Sequence, residues 1–239
     1  MKTLKLFTIF ILFQCKVFSQ QTFIYRPSVN IDYKSIEINS VKKMMRNVEN
    51  QLKKFEFVLN VNSNESFFYQ SEVLSDESKN LQIIKVAEAM SYSNEEWFYD
   101  ADKSNLILST NVMNTPFSVK FDELPDWEIK NDTKRIGNYK VVRATTSRKF
   151  IGSKGVKEKE IEAWFCPDIP IPHGPMGSVG LPGLVIQLRL QNTIFTLDQV
   201  IGEDSLEIDE PDKSKTMPSK EFYTLIDQKV GDFKSSIQN

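Results

Sequence analysis

The chain has 239 residues, 40% of them hydrophobic and 26% charged, which is enough apolar material to bury a substantial core in one large domain. Its formal charge of −2 at pH 7 argues against a nucleic-acid partner, because phosphate neutralisation needs clustered Lys and Arg on one face. The 17 phenylalanines favour strands, since aromatic side chains pack well on a pleated, half-buried surface.

The first residues have the pattern of an export signal. Lys2 and Lys5 form a positively charged segment, residues 6–13 are apolar, and residues 17–19 place small or short side chains around a cleavage site. The apolar run is about half the length that a membrane-spanning helix requires. We therefore predict a signal peptide over residues 1–19, a single β-rich domain over residues 20–239, and a periplasmic or secreted location.

Cys15 offers an alternative to free export. Residues 12–15 resemble a lipoprotein box, but Gln14 stands where a small residue is expected, so lipid anchoring is the less favoured interpretation. Cleavage after Ser19 would remove three lysines and no acid, which changes the formal charge from −2 to −5. It would also leave Cys166 as the only thiol, so no internal disulfide would hold the fold together.

The chain that follows the signal combines one extended segment with an amphipathic helix. Residues 22–38 mix β-branched and aromatic residues without a helical period, and they predict extended chain with one strand. A helix is predicted over residues 40–53, with Asn39 or Ser40 as its N-cap. Its apolar stripe fits packing on the domain's own sheet better than a partner-binding face, and it consists of Val41, Met44, Met45, Val48 and Leu52.

A hairpin, a second helix and a long series of strands are predicted next. Alternation over residues 55–61 and 66–73, with turn residues between them, predicts a β-hairpin. Helical spacing predicts a helix over residues 77–90. Short strands separated by turn residues are then predicted at 96–99, 105–112, 117–123, 127–131, 139–147, 160–165, 183–190 and 193–202.

This succession of short strands defines the predicted fold class. Helices of about ten to fifteen residues would have to intervene for a parallel sheet, and none does in this region. The fold is therefore predicted to be mainly β, a curled antiparallel meander or open barrel covered by two or three helices. Residues 153–157 predict a solvated hairpin tip and residues 205–219 a surface excursion. A last helix is predicted over about 219–236, with Ser219 as its cap.

Residues 161–190 form the most unusual stretch, because it holds five of the ten prolines, four of the nine glycines and the only histidine. Prolines cannot donate to a strand ladder, so residues 168–175 are predicted to leave the sheet as an extended, polyproline-like segment. The glycines recur at a spacing of three for barely three triplets, which is too few to sustain a collagen triple helix. The spacing predicts instead a loop in which the backbone passes close to the sheet or adopts positive φ. The structural motif comprises Pro170, Pro172, Gly174, Pro175, Gly180, Leu181, Pro182, Gly183 and Leu184.

The letters GLPGLV over residues 180–185 resemble the signature of the GLPGLI family of exported bacterial envelope proteins in every position but the last. The likeness extends upstream to Trp164 and to the segment from Pro167 to Ile171, and it covers about residues 120–200. The resemblance implies a β-rich protein with a signal peptide and no assigned activity, often encoded beside TonB-dependent transporter genes. Residues 176–179 and Cys166 depart from the family pattern.

Candidate catalytic groups are sparse. Cys166 and His173 are the only thiol and imidazole of the mature chain, and the seven residues of extended chain that separate them span roughly 20 Å. A catalytic dyad is therefore less favoured than a half-buried thiol and a histidine exposed on a loop. The segment 177–180 resembles a nucleophile elbow only faintly and predicts a turn.

The sequence contains few candidate metal ligands and several aromatic residues that could line a ligand site. One histidine and one thiol exclude a dense His/Cys metal site, and the carboxylates of residues 209–212 fit a solvated loop better than a calcium site. Aromatic side chains on the concave face of a curled sheet can line a ligand groove, and the candidates are Trp97, Tyr99, Trp127, Tyr139 and Trp164. The residues predicted to bind ligand are Trp127, Trp164 and His173.

The function expected from these observations is that of a non-enzymatic, exported binding or accessory protein of the bacterial envelope. An outer-membrane transporter or a peptide is the expected partner, and no cofactor is expected. The alternative is a periplasmic or secreted hydrolase, peptidase-like, with its site near the proline- and glycine-rich stretch. That alternative requires an acid and a base converging in a cleft.

Overall fold

The computed structural model describes residues 20–71, 80–152, 155–202 and 216–238. The predicted signal peptide, the lipoprotein box at Cys15 and most of the predicted excursion at 205–219 lie outside these residues. Within the described ranges, no helix combines the length and the hydropathy needed to cross a membrane.

Three helices accompany the strands in the described residues: α1 (Asn39–Leu52), α2 (Leu81–Ser91) and α3 (Ser219–Gln238). A short 3-10 turn lies at Pro175–Gly177. The strands are β1 (Gln21–Val29), β2 (Phe57–Val61), β3 (Glu65–Gln70), β4 (Glu96–Asp100), β5 (Asn105–Val112), β6 (Thr115–Phe121), β7 (Glu128–Ile136), β8 (Tyr139–Gly152), β9 (Gly155–Cys166), β10 (Leu184–Leu190), β11 (Thr193–Ile201) and β12 (Thr216–Pro218).

The described strands form one sheet of twelve strands in the order β12-β6-β5-β4-β3-β2-β1-β11-β10-β9-β8-β7. Strands β1 to β6 form one antiparallel meander and β7 to β11 a second, and antiparallel pairing of β1 with β11 joins them. The predicted mainly β fold with two or three helices is thereby confirmed. The three-residue strand β12, which pairs in parallel with β6, was not predicted.

The sheet curls until its two ends approach each other. β6 and β7 lie near opposite ends of the strand order, yet only residues 122–127 connect them. That connection reaches at most about 25 Å, whereas a flat sheet would separate these strands by about 48 Å. Helix α3 contacts β6, β8, β9 and β12, so it covers the seam where the described sheet stays open.

Aromatic side chains fill the interior of the curl. Phe57 stacks on Phe68 with ring centroids 5.5 Å apart, and Phe195 meets both rings edge-on. Tyr25 is fully buried and donates its hydroxyl to the carbonyl of Val185 at 2.6 Å. This hydrogen bond ties β1 to β10 across the interior, because the two strands are separated by β11 in the sheet.

The helix boundaries differ in detail from the predictions. The N-cap assignment of Asn39 or Ser40 for α1 is wrong, because the helix already begins at Asn39 and its cap position is Ile38, without a side-chain hydrogen bond. In α2, Asn80 caps the helix by accepting a hydrogen bond from the backbone of Gln82 at 3.0 Å. The predicted start of α2 at 77 lies outside the described residues.

The proline- and glycine-rich stretch folds back on the strands that flank it. The backbone N–H of Leu184 donates to Ile169 at 2.9 Å, and that of Val185 donates to His173 at 3.1 Å. A Cβ on Gly183 would lie 2.2 Å from the carbonyl oxygen of Cys166, which no side chain can tolerate. The prediction of a backbone that passes close to the sheet therefore agrees with the observed geometry.

The first prediction concerns this contact. Replacing Gly183 with valine should destabilise the protein by about 3 kcal/mol or more, since the clash is with backbone that cannot move aside. The measurement is soluble yield together with urea unfolding. The matched control is Gly202→Val, because a Cβ on Gly202 would meet nothing within 4 Å. Equal yield and stability for the two variants would contradict the close approach.

Candidate functional site

His173 lies in a different environment from the predicted one. Only 3% of its surface is exposed, its Nδ1 lies 3.0 Å from the hydroxyl of Ser66, and its ring centroid is 5.7 Å from that of Tyr99. The expectation of an exposed loop histidine is wrong, because the loop folds inward against β3 and β4. Burial lowers the pKa of His173 to about 4, so the ring is neutral at physiological pH.

Cys166 is also more buried than expected, with 2% of its surface exposed at the end of β9. Among the described residues, the polar and ring contacts of His173 are with Ser66 and Tyr99, and none is with this thiol. A nucleophile without an adjacent base is not activated. The structure therefore offers no geometric support for a Cys/His dyad.

The two predicted ligand-binding tryptophans make separate contacts. Trp127 donates its Nε1–H to the carbonyl of Val179 at 2.9 Å, which fastens the connection between β6 and β7 to the glycine-rich loop. Trp164 donates to Glu162 at 2.9 Å, and the ammonium of Lys134 lies 3.9 Å from its ring centroid. No described contact joins Trp127, Trp164 and His173 into one site, and their ligand-binding role stays a prediction.

Two adjoining cavities of 510 Å³ and 300 Å³ lie at the seam of the sheet, and we call them together the seam cleft. Residues 122–126 and the start of α3 form one side of the larger cavity, and β8 forms another. The smaller cavity extends toward α2 and β5. Both cavities share four lining residues, which are Trp97, Arg148, Lys149 and Tyr223.

Trp97 forms the floor of the seam cleft and is held from two sides. Its Nε1–H donates to a carboxylate oxygen of Glu95 at 3.1 Å. On the other side Gly177 lies so close that a Cβ there would be 2.3 Å from the indole ring. The neighbouring Met176, buried with a φ of 55°, lines the smaller cavity. The glycine-rich loop therefore positions the tryptophan of the cleft.

The guanidinium of Arg148 lies over the face of Trp97, with its central carbon 4.7 Å from the ring centroid. Such cation–π contacts hold an arginine side chain in a defined orientation. Its Nη1 is shielded from solvent and meets no hydrogen-bond acceptor in the part of the chain that the structure describes. Burial lowers the pKa of Arg148, but an arginine stays charged at neutral pH. The seam cleft thus contains a fixed cation with an unused donor.

Glu95 is the acidic neighbour of this cation. Burial raises its pKa to about 7, and this effect outweighs the opposing influence of Arg148 and of the Trp97 hydrogen bond. Burial also raises the pKa of Tyr92 and Tyr223 to about 12, so neither phenol supplies a negative charge near neutral pH. Below about pH 7 the buried part of the cleft therefore carries net positive charge.

Sequence reasoning found Trp97 but missed the groups around it. The predicted strand over residues 139–147 ended one residue before Arg148, whereas β8 continues to Gly152. With the observed end, Thr146, Arg148 and Phe150 share one face of the strand by simple alternation. Glu95 was not among the candidate residues, because it lies one position before the predicted strand at 96–99 and nothing in its sequence neighbourhood indicates burial.

The described residues contain no group of three or more His, Cys, Asp or Glu side chains placed to hold a metal ion. The carboxylates considered for calcium, at 209–212, lie outside those residues. The fold and the site together define the class of protein. It is an open, curled β-sheet with a cleft of ligand size, whose floor is Trp97 and whose fixed cation is Arg148.

A sequence model of the family described as "Protein of unknown function (Porph_ging)" matches residues 152–187, which comprise all of β9, the glycine-rich loop and the first four residues of β10. The match is consistent with an uncharacterised bacterial family and does not confirm the GLPGLI name. No curated protein matches the chain significantly.

Two solved structures of PNGF-II, in different crystal forms, resemble the chain with a TM-score of 0.47 each and identities of 15% and 14%. They cover 87% and 89% of this chain, which spans 33% of the length of each PNGF-II chain. At these values the likeness carries no argument about activity or ligand.

The second prediction uses the raised pKa of Glu95. Between pH 4.5, its ordinary value, and about 7, the folded protein keeps a proton that the unfolded chain has released. The free energy of unfolding should therefore fall as pH rises through this window, by at most about 1.4 kcal/mol per pH unit. In Glu95→Gln this decline should disappear, because the amide does not titrate. Urea unfolding from pH 4.5 to 8 measures both curves.

The difference between the two curves isolates Glu95. Arg148 and Lys149 on β8, Tyr92 after α2 and Tyr223 on α3 face the same cleft. The raised pKa of the two phenols and the always charged guanidinium leave Tyr92, Tyr223 and Arg148 unchanged in this window. His173, with its lowered pKa, makes stability rise with pH between about 4 and 6.5, but equally in both proteins. Parallel curves for wild type and variant would exclude a buried, proton-holding Glu95.

Proposed function

We propose that this chain is an exported, non-enzymatic ligand-binding protein of the bacterial envelope, accessory to an outer-membrane transporter, and that the seam cleft is its ligand site. The observation that carries the proposal is the Arg148 guanidinium, which lies over Trp97 with a shielded, unused donor between two cavities. Cavities of this size suit small molecules and short peptides. The cationic and aromatic groups supply the polar anchor and the apolar surface that such sites combine.

The envelope location and the transporter partner rest on other observations. The signal-like pattern of residues 1–19 supports export. The resemblance of residues 180–185 to the GLPGLI signature supports an envelope role, and the family match over residues 152–187 lies in the same region. The loop that carries the resemblance is the one that packs Gly177 against Trp97, so the family-like segment supports the cleft directly.

The alternative, a hydrolase, is favoured by one observation. Glu95 has a pKa of about 7, which suits a general acid or base, and it contacts Trp97 beside the glycine-rich loop. Hydrolysis would need a second group across the cleft. The carboxylates that line the larger cavity are Asp122, Glu123, Asp126 and Glu158.

The third prediction tests the ligand site. Protein exported from the full-length gene should show a higher melting temperature with members of a panel of short peptides and sugars, because ligand that binds only the folded state stabilises it. Trp97→Leu should abolish the shift. Trp164→Leu is the matched comparison, because Trp164 lies in a neighbouring part of the sheet and lines neither cavity.

The two tryptophan variants discriminate between the cleft and the site predicted from sequence. A shift lost only in Trp164→Leu would locate the ligand at the predicted tryptophan and refute the seam cleft. A panel without any shift, combined with crosslinking pull-downs that recover no envelope protein, would refute the binding function. Turnover of a panel member that Glu95→Gln abolishes would establish the hydrolase instead.

A further inference from the structure

Arg148 differs from Arg26, another partly buried arginine of the fold. Arg26 lies 2.6 Å from Glu56 and 2.8 Å from Asp198, so its guanidinium is fully engaged by carboxylates. For Arg148, by contrast, no carboxylate in the described ranges comes within the 4.0 Å of an ion pair, and Nη1 has no acceptor. A buried charge without a hydrogen-bonding partner costs folding free energy.

Although Nη1 is shielded, the Arg148 side chain as a whole is only partly buried and lies where a ligand can reach it. Arg148 lines both cavities of the seam cleft, and its cation–π contact with Trp97 holds the guanidinium beside them. A planar guanidinium presents parallel N–H groups that match the two oxygens of a carboxylate. The geometry around Arg148 is therefore prearranged for a planar anion.

The charges of the cleft disfavour a doubly charged anion more strongly than a singly charged one. Asp122, Glu123, Asp126 and Glu158 line the larger cavity, against Arg148, Lys149 and Lys220. A doubly charged phosphate would meet stronger repulsion from these four carboxylates than a carboxylate with one charge. The raised pKa of Glu95 removes a fifth negative charge below about pH 7 and leaves Arg148 free for the ligand.

The smaller cavity has apolar residues in its wall, alongside polar ones such as Asn94, Glu95 and Thr110. The apolar ones include Leu108, Val112, Phe150, Met176 and Phe222. An apolar side chain adjacent to a carboxylate would fill this cavity while the carboxylate meets Arg148. The larger, more open cavity would then receive the polar remainder of the ligand.

We propose that the seam cleft binds the C-terminal carboxylate of a short peptide whose last residue is apolar, with Arg148 as the carboxylate-binding residue. This assignment rests on the proposed ligand-binding function and specifies its ligand class. Trp97 and the apolar wall contact the last side chain, and the peptide chain leaves toward residues 122–126 and the start of α3.

The test compares free peptide acids with their amides. The probes are Gly-Gly-Leu and Gly-Gly-Phe with free C-termini, the same peptides as C-terminal amides, triglycine, inorganic phosphate and a neutral disaccharide. Calorimetric titration of the full-length, exported protein measures each affinity. The free acids should bind at least about tenfold more tightly than the amides, because a charge-assisted bidentate contact is lost on amidation. Triglycine should bind more weakly than either apolar peptide.

Variants of Arg148 complete the test. Arg148→Gln should weaken the free acids by about tenfold or more and leave the amides unchanged, and Arg148→Lys should recover part of the loss. Because no described carboxylate pairs with Arg148 and its buried Nη1 has no acceptor, Arg148→Gln loses only the contact with Trp97, and its melting temperature without ligand should stay close to that of the wild type. The charge-matched control is Arg135→Gln, since Arg135 is exposed on β7 and bonds only the nearby backbone of Asn138.

The outcomes separate this inference from the function on which it rests. Equal binding of acids and amides, or a wild-type affinity in Arg148→Gln, overturns the carboxylate assignment. If the disaccharide or the amides bind and Trp97→Leu abolishes that binding, the cleft is a binding site but the proposed ligand class is wrong. A large fall in the melting temperature of Arg148→Gln would show that the arginine serves stability through its neighbours Trp97 and Glu95, and it would contradict the inference. Tighter binding of phosphate than of any peptide acid also contradicts the inference.

Discussion

The close approach of Gly183 to the carbonyl of Cys166 is the constraint on which the rest of the structure depends. It allows the chain that leaves β9 to return at once into β10, so the intervening loop must turn inward rather than extend into solvent. Once inside, the loop buries His173 and brings Gly177 against Trp97. A side chain at either glycine would separate surfaces that are now in contact, and the cleft at the seam would lose its floor.

The interior of the curl is divided into two chemically different regions. Around Phe57, Phe68 and Phe195 the packing is apolar and aromatic, and the buried polar groups nearby, such as the hydroxyl of Tyr25, have hydrogen-bond partners. At the seam, the buried Nη1 of Arg148 has no such partner among the described residues. Buried polar groups are nearly always satisfied when their role is structural. The unsatisfied donor at the seam therefore lowers the stability of the fold, which is typical of a functional site.

The sequence carried enough information to predict the architecture, because period-two alternation and turn residues mark each strand locally. The curled meander, the helices α1 and α3 and the close-packed glycine loop follow from such patterns. The site did not follow, because it depends on which strands the curl brings together. Arg148 lies beyond the predicted end of its strand, and Glu95 has a turn-like neighbourhood, so neither carries a local signal of burial. His173 was misjudged for the same reason, since proline-rich loops are usually exposed and this one turns inward.

The pairing of β1 with β11 has a consequence for how the protein reaches this structure. Residues such as Arg26 and Thr196 are neighbours in the sheet although 170 positions separate them in the sequence. Each meander can form from local hairpins, but the two join only after the chain has been made almost to β11, and closing so long a loop is slow. Until then one side of β1 presents unpaired backbone groups, which attract other strands. The growing chain is consequently most prone to aggregate before β11 has been synthesised. A chaperone that shields β1 during that interval would raise the yield of folded protein.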